Sequence, residues 1–520
     1  MDRDSLQTAA GSILLPDWLQ RCAENRPQHL AVQSGALRWS FAELVQQATH
    51  LAQQLAALGV RSGSRVALLA ANSPAYVACV HALTRLRAIL VPLNTRLSET
   101  ELGWQLQDAR VNLLLSDPGQ ADRARSLVAA RPQLASAILQ LRPDGSVELD
   151  PSPPQTQRTT FTPAPLIDLN AVQAIMYTSG TTGQPKGVLI TYGMHWWNAI
   201  GSALNLGHHL DDCWLACLPF FHIGGLTIIM RSAIYGISIN VHEKFDARAV
   251  NHSIFSEGVT IISVVAVMLQ RMLEALESEQ PGTGYPAYLR CVLLGGGPAP
   301  RPLLEACAAR GIPVVQTYGL TEACSQAATL SPADALRKLG SAGRPLPPVQ
   351  LEIRQEGRRT APGEAGMIYL KGPTITPGYL DRPAATREAL QDGWLATGDI
   401  GYLDEEGYLY VLDRRSDLII SGGENIYPAE IEAALLSHPA VAEAGVCGQP
   451  DPRWGQVPIA FVRLHPGQST STESLLSHLQ TRLARYKLPR AIYFVGELPR
   501  NSSGKLLRRQ LPSLLDHALD

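Results

Sequence analysis

The stretch "YTSGTTGQPKGV", Tyr177 to Val188, gathers hydroxyls at Thr178, Ser179, Thr181 and Thr182, small residues such as Gly180, and one cation, Lys186. Glycine has no Cβ, so backbone N–H groups can close on a ligand. Hydroxyls add donors, and a lysine supplies a point charge suited to phosphate. Such a loop is built to hold a polyphosphate. It is not a Walker A loop, which needs G-x-x-x-x-G-K-[ST]; here Lys186 follows Pro185 and precedes Gly187. Standing alone, a glycine-rich stretch is more often a plain surface loop.

The string does not stand alone. "YGLTEA" (Tyr318 to Ala323), "GWLATGDIGYLDEEGYLYVLDRRSD" (Gly393 to Asp417), "GGENIYPAEIE" (Gly422 to Glu432) and "NSSGKLLRRQL" (Asn501 to Leu511) follow in order. Together with the loop they resemble the motifs of the adenylate-forming superfamily, which holds acyl-CoA synthetases, peptide-synthetase adenylation domains and luciferases.

The resemblance implies a role for each motif. Thr178, Ser179, Gly180, Thr181, Thr182 and Lys186 would hold the phosphates of ATP. Glu322 would be the ligand of Mg²⁺, a hard carboxylate for a hard cation. Tyr318 would stack on adenine, beside Gly319 and Thr321, while Gly295, Gly296 and Gly297 give the base room. Asp399 would accept hydrogen bonds from both ribose hydroxyls, which one carboxylate can do with its two oxygens. Arg414 would sit by ribose and phosphate, and Lys505 would reach the substrate carboxylate and the α-phosphate. Ser421, Gly422 and Gly423 would face the pantetheine of CoA. In isolation most of these are ordinary residues: a core tyrosine, half of a surface ion pair, a solvated lysine in the tail.

The same family rotates a C-terminal domain between two half-reactions. The hinge position falls at Ser416, where many relatives carry Asp or Lys; the departure touches the polar contacts that hold each state. The expected boundaries are 1–413 for an AMP-binding domain with the acyl and ATP sites, 414–416 for the hinge and 417–520 for the mobile domain. A carboxylate is already ionised at neutral pH, so adenylation needs no general base. Its barrier is electrostatic, one anion approaching another, and Mg²⁺, Lys505 and the hydroxyl loop would offset it.

"LPFFHIGGL" (Leu218 to Leu226) places His222 before an apolar helix, a position that lines the acyl pocket in relatives; Gly296 would border the same pocket. The "HEKFD" and "RRSD" strings look most like the o-succinylbenzoate–CoA ligases of menaquinone and phylloquinone synthesis. That substrate has a second carboxylate, which needs a cation in an otherwise apolar pocket. Arg231 is the candidate, and an outward surface arginine is its competing reading. Rival functions are a fatty-acyl or aryl-CoA synthetase, a carrier-loading adenylation domain, and a nucleotide-binding sensor without catalysis.

The elements that must position these residues are legible as patterns. "FAELVQQATHLAQQLAALGV" and "PAYVACVHALTRLRAIL" have helical spacing, while "SRVALLA" and "AILVPLN" read as buried strands. "AVQAIMYT", "RCVLLGGGPAP" and "VVQTYGLTEA" are apolar strands that end in small or polar loops, where ligands of open α/β sheets sit. "PSPPQTQRTTFTPAP" (Pro151 to Pro165) reads as a linker between subdomains. The expected fold class is α/β: a large N-terminal domain of mixed sheets with helices, and a small mobile α+β C-terminal domain.

Composition narrows the class further. At 520 residues the chain needs two or more domains. A hydrophobic share of 45%, a charged share of 17% and a net charge of -2 describe a globular protein with no reason to bind nucleic acid. Eight scattered cysteines form no C-x-x-C pair, so a reduced, cytoplasmic setting is expected. No apolar run reaches the roughly 20 residues of a membrane span. "GVTIISVVAVMLQRML" reads instead as a buried strand leading into a helix. Oligomeric state, a homo-oligomer included, is left open.

Overall fold

The apolar spacing that begins at Phe41 produces the helix Phe41–Ala57. Its start is closed by a capping box: the Ser40 hydroxyl accepts from the Glu43 N–H, and the Glu43 carboxylate accepts from the Ser40 N–H at 2.7 Å. Each satisfies a donor that the first turn leaves without a partner. The next helix, Pro74–Leu86, starts on Ser73 with a proline in its first turn, and every one of its residues is buried. Its one charged side chain, Arg85, is paired with Asp17 at 3.4 Å, so the helix can be enclosed on every side. It touches Ile89–Pro92 and Ala135–Leu141 of one sheet and Leu30–Ser34 of another, so it fills the layer between two sheets.

The computed structural model describes residues 12–153, 162–178, 185–297, 299–414, 417–421, 424–451, 454–483, 485–500 and 506–517. The first sheet has seven strands, ordered Lys186–Thr191, Val172–Thr178, Ile89–Pro92, Arg65–Leu69, Leu113–Ser116, Ala135–Leu141 and Val147–Asp150. Its middle is parallel, as crossover helices require, and its two ends are antiparallel. The second sheet has nine strands. Val314–Leu320, Cys291–Leu294, Ile261–Val264, Cys213–Ala216, Ser238–Val241 and Leu30–Ser34 run parallel through it, and Ser325–Thr329 turns back at one side.

One sequence expectation changes here. The proline-rich stretch from Pro151 does not divide the chain into separate sheets. Leu30–Ser34, before it, belongs to the nine-stranded sheet, and Val172–Thr178 and Lys186–Thr191, after it, belong to the seven-stranded one. Of the three strands expected to end in ligand-bearing loops, Val172–Thr178 lies in the first sheet and the other two in the second. "GVTIISVVAVMLQRML" folds as read, into the strand Ile261–Val264 and the helix Ala266–Glu279.

A third, antiparallel sheet is built on Gly366–Lys371 and the long strand Trp394–Leu403, which pairs with Leu409–Arg414. Beyond it, residues from Ile419 form a five-stranded sheet of their own with the helices Pro428–Leu436 and Thr472–Gln480, enclosing separate apolar clusters around Ile431 and Phe461. That is the α+β C-terminal unit. All eight cysteines are unbonded thiols. Among the described residues no helix is long and apolar enough to cross a membrane.

Candidate active site

Lys186 opens the strand that returns from the hydroxyl loop, and its backbone pairs with Thr178, the last residue of the outgoing strand. The sheet thus holds the cation at the end of an antiparallel strand pair. Ser179, Gly180, Thr181 and Thr182 lie outside the described residues. The Lys186 ammonium sits 5.3 Å from the centre of the Tyr379 ring, inside the range of cation–π attraction. The hydroxyl of the same tyrosine donates to Glu322 Oε1 at 3.1 Å. Burial, then the Glu322 carboxylate, pushes the Tyr379 hydroxyl well above its ordinary range, so it stays a donor.

Glu322 sits in the short 3₁₀ turn Thr321–Ala323 that follows the strand Val314–Leu320. Among the described residues no cluster of three or more His, Cys, Asp or Glu could hold a metal. A single hard carboxylate still fits magnesium, which takes one or two protein carboxylates and fills its shell with phosphate oxygens and water. Glu322 is a donor of that kind.

Tyr318 and Asp399, 81 residues apart, meet: the tyrosine hydroxyl donates to Asp399 Oδ2 at 2.7 Å. The backbones of Asp399 and Arg414 pair across their strands; the Arg414 side chain lies outside the description. Gly295, Gly296 and Gly297 follow the strand Cys291–Leu294. A Cβ on Gly295 would come within 2.9 Å of Thr317, and Gly296, at φ +80°, would bring one within 2.9 Å of Val265. Gly319 is demanded by packing, because a Cβ there would fall 1.5 Å from the Ser325 carbonyl oxygen.

His222 is the N-cap residue of the helix Ile223–Tyr235, its ring 4.7 Å from that of Phe221. Burial, then Arg96, pushes its pKa down to about 4, so the imidazole is neutral at pH 7. Arg231 lies further along the same helix, in its last two turns. It is 2% exposed, so the surface reading fails. Its guanidinium donates to Asn198 Oδ1 at 2.6 Å and to Gln326 Oε1 at 3.3 Å, and lies 5.2 Å from the Trp214 ring centre. Among the described residues its Nε has no hydrogen-bond partner and no carboxylate pairs with it. A buried cation held only by neutral amides and a π face is short of an anion.

Beside it His195 is buried, with Nε2 3.1 Å from Gln173 Oε1 and Nδ1 3.5 Å from the Cys324 sulfur. Sequence reasoning missed Tyr379, Asn198, Gln326 and His195. The only local signal was the i,i+3 spacing that puts His195 and Asn198 on one helix face. Ser421 closes the strand Ile419–Ser421, whereas Ser416, Gly422, Gly423 and Lys505 lie outside the described residues.

Residues 19–380 match the AMP-binding enzyme family, and residues 430–505 match the AMP-binding enzyme C-terminal domain. A 2-succinylbenzoate–CoA ligase of Geobacillus sp. (strain WCH70) is 52% identical over 96% of this chain and 98% of its own. Among solved structures, o-succinylbenzoate CoA synthetase from Bacillus subtilis in complex with its acyl-adenylate intermediate gives a TM-score of 0.85 at 44% identity, covering 96% of this chain and 98% of the other. The same enzyme in complex with ATP and magnesium ion gives 0.85 at 43% identity, covering 96% and 100%.

Proposed function

The chain belongs to the AMP-binding enzyme family, and from that premise we propose that it is an ATP-dependent acid–thiol ligase converting 2-succinylbenzoate to 2-succinylbenzoyl-CoA. In the first half-reaction an oxygen of the aliphatic carboxylate attacks the α-phosphorus of ATP. A carboxyl O–P bond forms, the bond to the β-phosphate bridge breaks, and pyrophosphate leaves. In the second, the CoA sulfur attacks the acyl carbonyl, a C–S bond forms, AMP departs and the thiol proton is released.

The residues divide the work by charge. Thr178, Ser179, Thr181, Thr182 and Lys186 hold the β- and γ-phosphates; Tyr318, Asp399 and Arg414 hold the nucleoside. Glu322 would hold magnesium, which when bound would neutralise phosphate charge. Lys505, on the unit from residue 417 onward, completes the site for adenylation and is withdrawn for thioester formation, with Ser416 as the hinge. Neutral His222 borders the acyl group without adding charge.

The observation that carries the substrate is Arg231. A buried guanidinium with only neutral partners among the described residues suits a ligand bearing a second carboxylate, as does the full-length likeness to 2-succinylbenzoate–CoA ligases. A fatty-acyl synthetase has no use for such a cation. The test is AMP release with CoA across an acid panel: 2-succinylbenzoate, 4-oxo-4-phenylbutanoate, which lacks the ring carboxylate, and octanoate. The dicarboxylate should have the highest kcat/KM. Preference for octanoate would overturn the reading.

A further inference from the structure

We infer that Tyr379 is a positioning residue of the metal–phosphate site, setting the Glu322 carboxylate and the Lys186 ammonium against each other through one side chain. The inference rests on the assignment of Glu322 and Lys186 made above. Its hydroxyl donates to Glu322 Oε1 at 3.1 Å, while the face of its ring lies 5.3 Å from the Lys186 ammonium. Left to themselves, a cation and a carboxylate at one site would pair directly and neutralise each other. An intervening phenol gives each a partner of its own: a neutral donor for the anion, a π face for the cation. The phenol thus keeps the Lys186 ammonium and the Glu322 carboxylate from neutralising each other at a site meant for a polyanion and its metal.

The backbone around Tyr379 is anchored to both elements it serves. On one side Leu189 N donates to Gly378 O at 3.1 Å and Leu380 N to Gly187 O at 2.8 Å, so the segment runs as an extra rung beside the strand carrying Lys186. On the other, Thr376 N donates to Glu322 O at 2.8 Å. The Thr376 hydroxyl donates to Leu189 O at 2.7 Å, and Tyr379 N donates to the Thr386 hydroxyl at 3.0 Å. Gly378 cannot carry a side chain, because a Cβ would sit 2.6 Å from Thr386. The tyrosine is thereby fixed from three directions before any ligand arrives. Groups that hydrogen-bond a metal's own ligands orient them, and their loss commonly costs about 10- to 100-fold in metal affinity.

The experiment uses the full-length enzyme with Tyr379→Phe, Tyr379→Leu and Glu322→Gln. Magnesium is titrated calorimetrically into enzyme loaded with α,β-methylene ATP, and the two half-reactions are timed separately in single turnovers. Tyr379→Phe keeps the ring over Lys186 and loses the hydroxyl. It should weaken magnesium binding about tenfold or more and slow adenylation at low magnesium, leaving thioester formation from pre-made acyl-adenylate and the melting temperature unchanged. Tyr379→Leu should in addition raise the KM for ATP. If Glu322→Gln weakens magnesium binding and Tyr379→Phe does not, the role of Tyr379 falls and the metal assignment stands. If Glu322→Gln itself leaves magnesium binding unchanged, the metal assignment falls first. Equal slowing of both half-reactions by Tyr379→Phe would mark a purely structural tyrosine and overturn the inference.

Discussion

Arg231 concentrates the question of specificity in one side chain. Its guanidinium is taken out of water, and burial pulls its pKa down from the ordinary value. A substrate carboxylate would complete the charge pair that the described protein lacks. Arg231→Ala should therefore lower kcat/KM for 2-succinylbenzoate by roughly two to four decades, the equivalent of about 3–5 kcal/mol for breaking a buried pair. The variant also strips a donor from Asn198 and Gln326, so the melting temperature should drop as well. That loss acts on every substrate alike, whereas the ratio of kcat/KM between 2-succinylbenzoate and 4-oxo-4-phenylbutanoate isolates the charge effect. Arg231→Lys should recover part of the ratio only, because an ammonium cannot reproduce the planar two-pronged geometry. A ratio unmoved in both variants would assign the ring carboxylate to other groups.

Among the elements, the strand–loop junctions carry the site, and glycine decides their shape. Gly319 lies where the neighbouring strand passes so close that a methyl group would meet the Ser325 carbonyl at 1.5 Å, whereas a methyl on Gly297 would meet nothing within 4 Å. Gly319→Ala should force the two strands apart and cost at least about 1–3 kcal/mol by overpacking, disturbing Tyr318 with it. Gly297→Ala should leave stability intact and raise the KM for ATP if the base lies there. Urea unfolding and ATP kinetics on both variants separate the two roles. These junctions were legible beforehand because buried parallel strands are continuous apolar runs, and "AVQAIMYT", "RCVLLGGG" and "VVQTYGL" are that pattern. What no short window shows is pairing across the chain. The meeting of Tyr379 with Glu322 spans 57 residues and that of Asn198 with Gln326 spans 128. The sheet to which each strand belongs is hidden for the same reason, and so the proline-rich stretch looked like a boundary.

For the molecule as a whole, the C-terminal unit has its own sheet and apolar clusters, and the proposed cycle would move it as a body. Lys505→Ala should cripple adenylation and spare thioester formation from pre-made acyl-adenylate; an equal fall in both single-turnover rates would contradict a two-arrangement cycle. Acid stability is a second global property. Burial, then Arg85, pulls His81 to about 3, and burial, then Arg231, pulls His195 to about 3. Both folded values lie below the ordinary 6.5, so on acidification the unfolded chain takes up these protons first. Each histidine then subtracts about 1.4 kcal/mol per pH unit from stability as pH falls from 6.5 toward 3. Urea unfolding at pH 7 and pH 5 should show the decline, and His195→Gln should make it shallower by about one such increment per unit; an unchanged slope would mean His195 is charged in the fold.

The interleaving of the two large sheets has a consequence for how the chain is made. Leu30–Ser34 is parallel to Ser238–Val241, and the Ser34 hydroxyl donates to a carbonyl 207 residues further on. At a synthesis rate of about 5–20 residues per second, the early strand waits on the order of ten seconds or more before its partner leaves the ribosome. Pairing of such long sequence separation is slow and leaves strand edges open meanwhile. The enclosed helix Pro74–Leu86 cannot complete its burial until that strand docks. Nascent chains shorter than about 240 residues therefore expose the apolar surface of this middle layer, and it is there that a chaperone would have most to cover.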